Sequence, residues 1–320
     1  MSGQAVREIV IGSDELSVAV TPEKGCDIRQ VTVQRTGETV LWQVPWTPQK
    51  PTPASVGEAS VTSWLASYPG GWQLLLPNAG DPCVVDGVAH GFHGELSMSN
   101  WEATSDESVL SAHVDCYALP LSVDRHIEVT GASITVTDSV TNTGSGPVRF
   151  MWGHHPGFGG DLLRGGATIG LSGGTVRADD EYDPPGNALR PASESTWPTA
   201  VGREGTRLDL RNPVDGHSLF AYVSELTEGR AVIERSDGCL SVELTWSLED
   251  FPCLWLWEEL GGSGGAPWFG RGQVIGIEPC TTMPGHGLAE AVAAQAGLVT
   301  LQPGQSRSSA ISLRVKSSGL

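Results

Sequence analysis

The sequence predicts an all-β protein, a large antiparallel β-sandwich. Three observations lead there. Its 41 glycines and 21 prolines fall between short segments rich in Val, Ile, Thr and Trp, the punctuation of many strands joined by turns. Those segments alternate apolar and polar residues with period two, which puts one face on a core and the other in water or against a ligand. Segments with helical period are scarce, and only the run 287–296 favours a helix, ended by Gly297 after fewer than three turns.

The elements follow in order. Residues 16–20 (Leu-Ser-Val-Ala-Val) and 31–34 are the opening strands, and Arg35-Thr36-Gly37-Glu38 is a turn leading into 39–42. Alternation returns over 127–129 and 132–137, and again over 240–246. The turn 142–147 (Asn-Thr-Gly-Ser-Gly-Pro) is expected to join two strands as a hairpin. The proline-rich stretch 184–198 is expected to be a long surface loop. Alternation along 254–258 puts Trp255 and Trp257 on one face, with Leu254, Leu256 and Glu258 on the other. No propeller or solenoid repeat is visible, and a single domain over 1–320 is expected, since β-rich units often run long.

The balance of 19 basic against 37 acidic residues gives a net charge of −18. Such a surface repels phosphate backbones and anionic lipid, so no nucleic-acid partner and no membrane partner is expected. The six cysteines are scattered without a C-x-x-C pair, which suits thiols in a reducing compartment. The polar N-terminus has no apolar leader segment, and no apolar stretch approaches a membrane span. The expectation is a soluble, cytoplasmic protein, monomer or homodimer.

Three segments carry ionisable groups among apolar ones. In 274–281, the apolar Val274, Ile275 and Ile277 lead to Glu278, and Pro279 is expected to stop the strand because it has no N–H. A carboxylate there, desolvated by its neighbours, has the raised proton affinity of a general base working near neutral pH. In 150–158, His154 and His155 point to opposite faces, so one of them at most meets a given pocket. His155, held extended by Pro156, is the candidate, and His154 the structural member. In 90–95, His90 and His93 are each followed by glycine, which lets backbone approach a ligand closely. No carboxylate stands at a metal-ligand spacing from these histidines, so no metal site is predicted. Tryptophan is abundant at 11 residues, and indole faces stack on the C–H faces of pyranoses or fill a wide core. Walker-type phosphate loops are absent from the sequence.

In order along the chain, these segments resemble the aldose 1-epimerase (mutarotase) superfamily. The resemblance rests on residues 16–42, on Gly71-Trp72 through Asn78, on His93-Gly94-Glu95 with Trp101, on 150–158, and on Ile277-Glu278-Pro279. It implies a galactose mutarotase-like supersandwich and a cofactor-free isomerase acting on a small-molecule sugar. It also implies roles: Glu278 takes the anomeric hydroxyl proton, and His155 protonates the ring oxygen. His93 or His90, Asn78, Trp72 and Trp257 would contact the sugar. The histidine–glycine run departs from the family pattern, and the family's sugar-binding arginine is not identifiable near Asn78. A hexose-phosphate epimerase would need Arg125, Arg149 or Arg271 turned into the pocket, and a non-catalytic carbohydrate-binding module would keep the fold alone.

Overall fold

The computed structural model describes residues 7–50 and 58–318. Two antiparallel sheets face each other across an apolar core. The larger has ten strands, in the lateral order Ile9–Gly12, Leu16–Thr21, Asp27–Val33, Gly71–Leu75, Gly153–Phe158, Val274–Cys280, Cys253–Leu260, His217–Ser224, Thr175–Ala178 and Glu194–Thr196. The smaller has eight, with Leu240–Trp246, Ser306–Ser317, Ser133–Asn142 and Leu121–Thr130 as neighbours. The core is filled from both sides: Val18, Val31, Leu254 and Ile277 of the larger sheet meet Ile127, Val136, Leu244 and Leu313 of the smaller.

The two sheets differ as their sequences do. Strands Leu121–Thr130 and Ser133–Asn142 alternate strictly between buried and accessible residues, so the smaller sheet covers the core with one face and meets water with the other. Strands Gly153–Phe158 and Val274–Cys280, central in the larger sheet, are buried at every position. Their second face is therefore covered too, by loops and by a helix α1 (Glu58–Ser67). The alternation expected along 254–258 holds, with Leu254 and Leu256 in the inter-sheet core.

A polar bolt crosses that core. Arg125 grips Asp138 with two hydrogen bonds, Nε to Oδ1 at 2.7 Å and Nη2 to Oδ2 at 2.8 Å. Asp138 Oδ2 lies 3.4 Å from His154 Nε2, and the opposite ring nitrogen of His154 accepts from Trp72 Nε1 at 3.2 Å. Burial pushes the His154 imidazole down to about 3, which suits the acceptor role. His154 is thus structural, as its sequence position suggested. So is Trp72, which belongs to the core.

Four local expectations are corrected. Helix α2 (Leu288–Ala294) has a companion in α1, whose Val61, Trp64 and Leu65, with Tyr68 just after it, carry a helical period that short length obscured. Strand Val148–Phe150 pairs with Val299–Leu301 and not with the strand before its turn. Asn142 explains this: its side-chain amide donates to both Gly146 O and Leu301 O, turning the chain away from a hairpin. Pro279 does not end its strand, which runs to Cys280. Residues 184–198 are only partly loop, since Glu194–Thr196 forms an edge strand. Among the described residues, no helix is long and apolar enough to cross a membrane.

Glu258 occupies the core-facing side of its strand between Leu256 and Leu260, with Oε1 unpaired. Burial pushes its carboxyl from 4.5 up to about 8. A folded-state pKa above the unfolded one favours folding below about 4.5, and that contribution is lost as pH rises through about 8. Glu258→Gln removes the loss, which is on the order of a few kcal/mol. Thermal unfolding at pH 5 and pH 8.5 should show the wild type losing more stability than the variant between the two; equal losses contradict the assignment.

Candidate active site

Neighbouring residues across an antiparallel sheet point to the same side, so a functional surface can be read as lateral rows. Gln73 pairs with His155, and Trp255 pairs with Glu278 and with Tyr222. The pairs Gly153–Cys280 and Gly157–Gly276 bracket His155 and Glu278 symmetrically. One row therefore runs Gln73, His155, Glu278, Trp255, Tyr222 across five strands, with Asp27 beside Gln73 as the sixth member (Gln73 Nε2 to Asp27 Oδ2, 3.2 Å). Strands lie about 4.8 Å apart, which is why the imidazole and the carboxyl meet. His155 Nε2 lies 3.5 Å from Glu278 Oε1.

The next row along is built of glycine. Gly71 pairs with Gly157, Gly157 with Gly276, Gly276 with Trp257, and Trp257 with Phe220. A Cβ on Gly276 would stand 2.4 Å from Glu278 Oε1 and 3.2 Å from the Trp257 ring, so the missing side chain is the space the carboxyl folds into. Between the bracketing pairs, the ladder joining the His155 and Glu278 strands is open at the positions that include Pro156 and Pro279, neither of which can donate.

Aromatic groups enclose the pair. The His155 ring centroid is 5.4 Å from His93, 5.5 Å from Trp257, and 5.7 Å from both Trp64 and Tyr68. Helix α1 supplies Trp64, and Tyr68 follows directly after it; Trp64 Nε1 donates to Ser97 Oγ at 3.0 Å. His93 has φ 58°, and its Nδ1 accepts from Gly80 N–H at 3.1 Å, which aims the ring at His155. Gly94 next to it is required, since a Cβ there would lie 2.4 Å from Leu76 O at φ +76°.

This enclosure sets the charges. Burial pushes Glu278 well above the usual carboxylate range. It pushes His155 down to about 4, and the buried Lys24 ammonium acts in the same direction. Both groups are driven towards their neutral forms, the carboxyl towards its acid and the imidazole towards its free base. Several polar atoms around them have no hydrogen-bond partner among the described residues: Tyr68 Oη, Gln73 Oε1, Asp27 Oδ1, and His155 Nδ1 outside its own residue. Buried orphans are rare, and a concentration of them marks a place shaped for something other than stability.

A cavity of about 1060 Å³ opens over this surface. Of the seven residues the sequence singled out, Glu278, His155, His93 and Trp257 line it. Three do not. Trp72 faces the inter-sheet core. Asn78 is spent on backbone, donating to Asp81 O and Gly91 O and accepting from Leu288 N–H at 2.7 Å. His90 belongs to the short hairpin Cys83–Val85/Val88–His90, with both ring nitrogens buried and unpaired. Of His90, His93, His154 and His155, only His93 and His155 meet. Arg125 is in the core, Arg149 points outward from an edge pairing, and Arg271 packs over Trp46 and Phe269; none lines the cavity.

The sequence reading missed the far wall. There Asp179 accepts from Glu181 N–H, Tyr182 N–H and the Tyr222 hydroxyl, and lies 3.0 Å from His286 Nε2. Asp179, Asp180 and His286 bring ligand-capable atoms within 4.8 Å of one another, but Asp179 already spends both oxygens on these donors. Burial opposes charge on His286, yet Asp179, Glu181 and Glu290 raise its pKa. A smaller hollow of about 430 Å³, beside Arg164 and Asp215, has no histidine or aromatic lining.

Two facing sheets, with polar and aromatic groups gathered on one covered surface of the larger, define an all-β galactose mutarotase-like fold. Solved structures bear this out. Slr1438 from Synechocystis sp. PCC 6803 superposes with a TM-score of 0.71 at 18% identity, over 99% of this chain and 98% of that one. A galactose mutarotase-like protein from Lactobacillus casei gives 0.65 at 18%, over 97% and 100%. One from Clostridium acetobutylicum gives 0.66 at 17%, over 95% and 94%. The chain belongs to the family described as Domain of unknown function (DUF4432), whose model matches residues 3–315. No curated protein matches it.

The opposed shifts of two histidines are measurable. In ring-nitrogen NMR at pH 6, His286 should be largely protonated and His155 neutral, with His155 titrating only near 4. A His155 midpoint near 6.5 would mean that the ring is solvated and the site open.

Proposed function

We propose that the protein is an aldose 1-epimerase, interconverting the α and β anomers of an uncharged free aldose by opening and reclosing the ring. The contact between His155 and Glu278 carries this reading. Opening a pyranose removes a proton from the anomeric oxygen and adds one to the ring oxygen, and both oxygens are bonded to the same carbon. The acid and base that serve them must therefore stand side by side, within hydrogen-bond reach of neighbouring atoms. Two groups on adjacent strands with one proton between them meet that requirement. They need not face each other across the sugar.

The proton balance closes without a cofactor. Glu278, holding the shared proton, gives it to the ring oxygen as the C1–O bond breaks, and His155 takes the proton from the anomeric hydroxyl. Rotation about C1–C2 turns the aldehyde, and closure on its other face returns both protons. The resemblance to the family implies the opposite first transfer, with imidazolium giving and carboxylate taking. That state is reached when the proton crosses from Glu278 to His155, and microscopic reversibility uses both directions. His93 would hold a sugar oxygen, and Trp257 would offer an indole face to the ring.

The lining also speaks to substrate charge. Asp81, Asp179, Glu181, Asp183, Glu259 and Glu278 line the cavity, with no Lys or Arg among the described lining residues. A phosphorylated sugar would meet these carboxylates with no Lys or Arg to offset them, and the His286 imidazole is already engaged by Asp179, so the hexose-phosphate alternative is disfavoured.

Exchange NMR or polarimetry on a sugar panel tests the reading. Glu278→Gln and His155→Gln should each slow exchange by ~10²–10⁴-fold while binding persists; wild-type rates in both would refute it, and binding without exchange in the wild type would leave a carbohydrate-binding module. A hexose should exceed its 6-phosphate in kcat/KM. The rate should fall as pH drops towards about 4, where His155 gains a proton and the pair loses its acceptor. Gly276→Ala should fold yet lose rate, because the atom its Cβ displaces is the catalytic carboxyl oxygen at the end of a flexible side chain.

A further inference from the structure

The cavity continues well past the reacting pair. Glu278 lies at one end of a lateral sequence that passes Trp255 and reaches the strand His217–Ser224, then Thr175–Ala178, with Asp179 just beyond it. At about 4.8 Å per strand, this places the far wall roughly 10–14 Å from the carboxyl. One pyranose positioned for ring opening spans only part of that distance, and it fills only part of about 1060 Å³.

The far end repeats the chemistry of the near end. Tyr182 and Phe220 pack edge to face with centroids 5.9 Å apart, and both line the cavity. Glu181, Glu259 and His286 stand around them as hydrogen-bonding groups on the lining. Rings with polar neighbours, offered twice along one trough and joined by the Trp255 wall, match a ligand with two amphipathic rings. The segment around Tyr182 is held in place from below: Asp179 accepts from the Glu181 and Tyr182 N–H groups at 2.9 and 2.6 Å, and Phe220 O accepts from Asp179 N–H at 3.1 Å. A loop tied at its base in this way is a preformed wall. The acidic lining again excludes an anionic second unit.

We propose that the preferred substrate is a reducing disaccharide, its reducing ring over His155 and Glu278 and its second, uncharged ring against the Tyr182 and Phe220 pair. This rests on the epimerase reading above. Remote binding energy at the second ring would be used to position the first, raising kcat/KM for the longer sugar.

The test compares anomer exchange of maltose, cellobiose and melibiose with that of glucose and galactose, in the wild type, Tyr182→Ala and Glu181→Gln. At least one disaccharide should exceed both monosaccharides in kcat/KM by about tenfold or more. Tyr182→Ala should bring that ratio towards one; Glu181→Gln, at an exposed carboxyl, serves if the first variant does not fold. Monosaccharides exchanged as well as every disaccharide, or a ratio unmoved by both variants, would overturn the second subsite while leaving the epimerase standing. Failure to accelerate any sugar would instead overturn the epimerase reading, and this inference with it.

Discussion

The contact between His155 and Glu278 depends on the lateral pairing of two central strands, and much else in the molecule follows from keeping it dry. A carboxyl and an imidazole 3.5 Å apart in water would titrate separately. Enclosed by Trp64, Tyr68, His93 and Trp257, both are pushed towards their neutral forms. Strand spacing supplies their separation, the Gly71–Gly157–Gly276 row supplies room for the carboxyl, and the opened ladder at Pro156 and Pro279 marks where they stand. None of these features can move without the pair.

That dryness works against stability. Tyr68, Gln73 and Asp27 leave polar atoms unpaired next to the pair, and each such atom costs on the order of 1–3 kcal/mol. The offset is the two-sheet core with its Arg125–Asp138–His154–Trp72 bolt, made on the opposite face of the same strands. His154 and His155 divide the work: the first fastens the sheets, the second faces the cavity. Adjacent positions on one strand thus serve structure and chemistry separately.

The fold was legible in the sequence because alternation and Gly/Pro punctuation are local signals, and strands such as Leu121–Thr130 and Leu240–Trp246 obey them strictly. Glu278 and His155 were legible because an ionisable group in an apolar strand conflicts with its surroundings. Trp72 and Trp257 show the limit. Both are tryptophans in buried strands, and only cross-strand register decides that one fills the core and the other the cavity. Asn78 and His90 sat near the right segments but are used by local backbone and by a hairpin. The far wall was illegible because Asp179 and His286 are 107 residues apart and meet only through loops. Trp64 and Tyr68 did carry a signal, the helical spacing after Val61, in a helix of only 10 residues.

A double-mutant cycle of anomer exchange on Glu278→Gln, His155→Gln and the combined variant tests the shared proton most directly. If the two groups act as one unit, the combined variant should be no slower than the slower single, because either change already removes the relay. Losses that multiply would show two independent contributions and contradict the account.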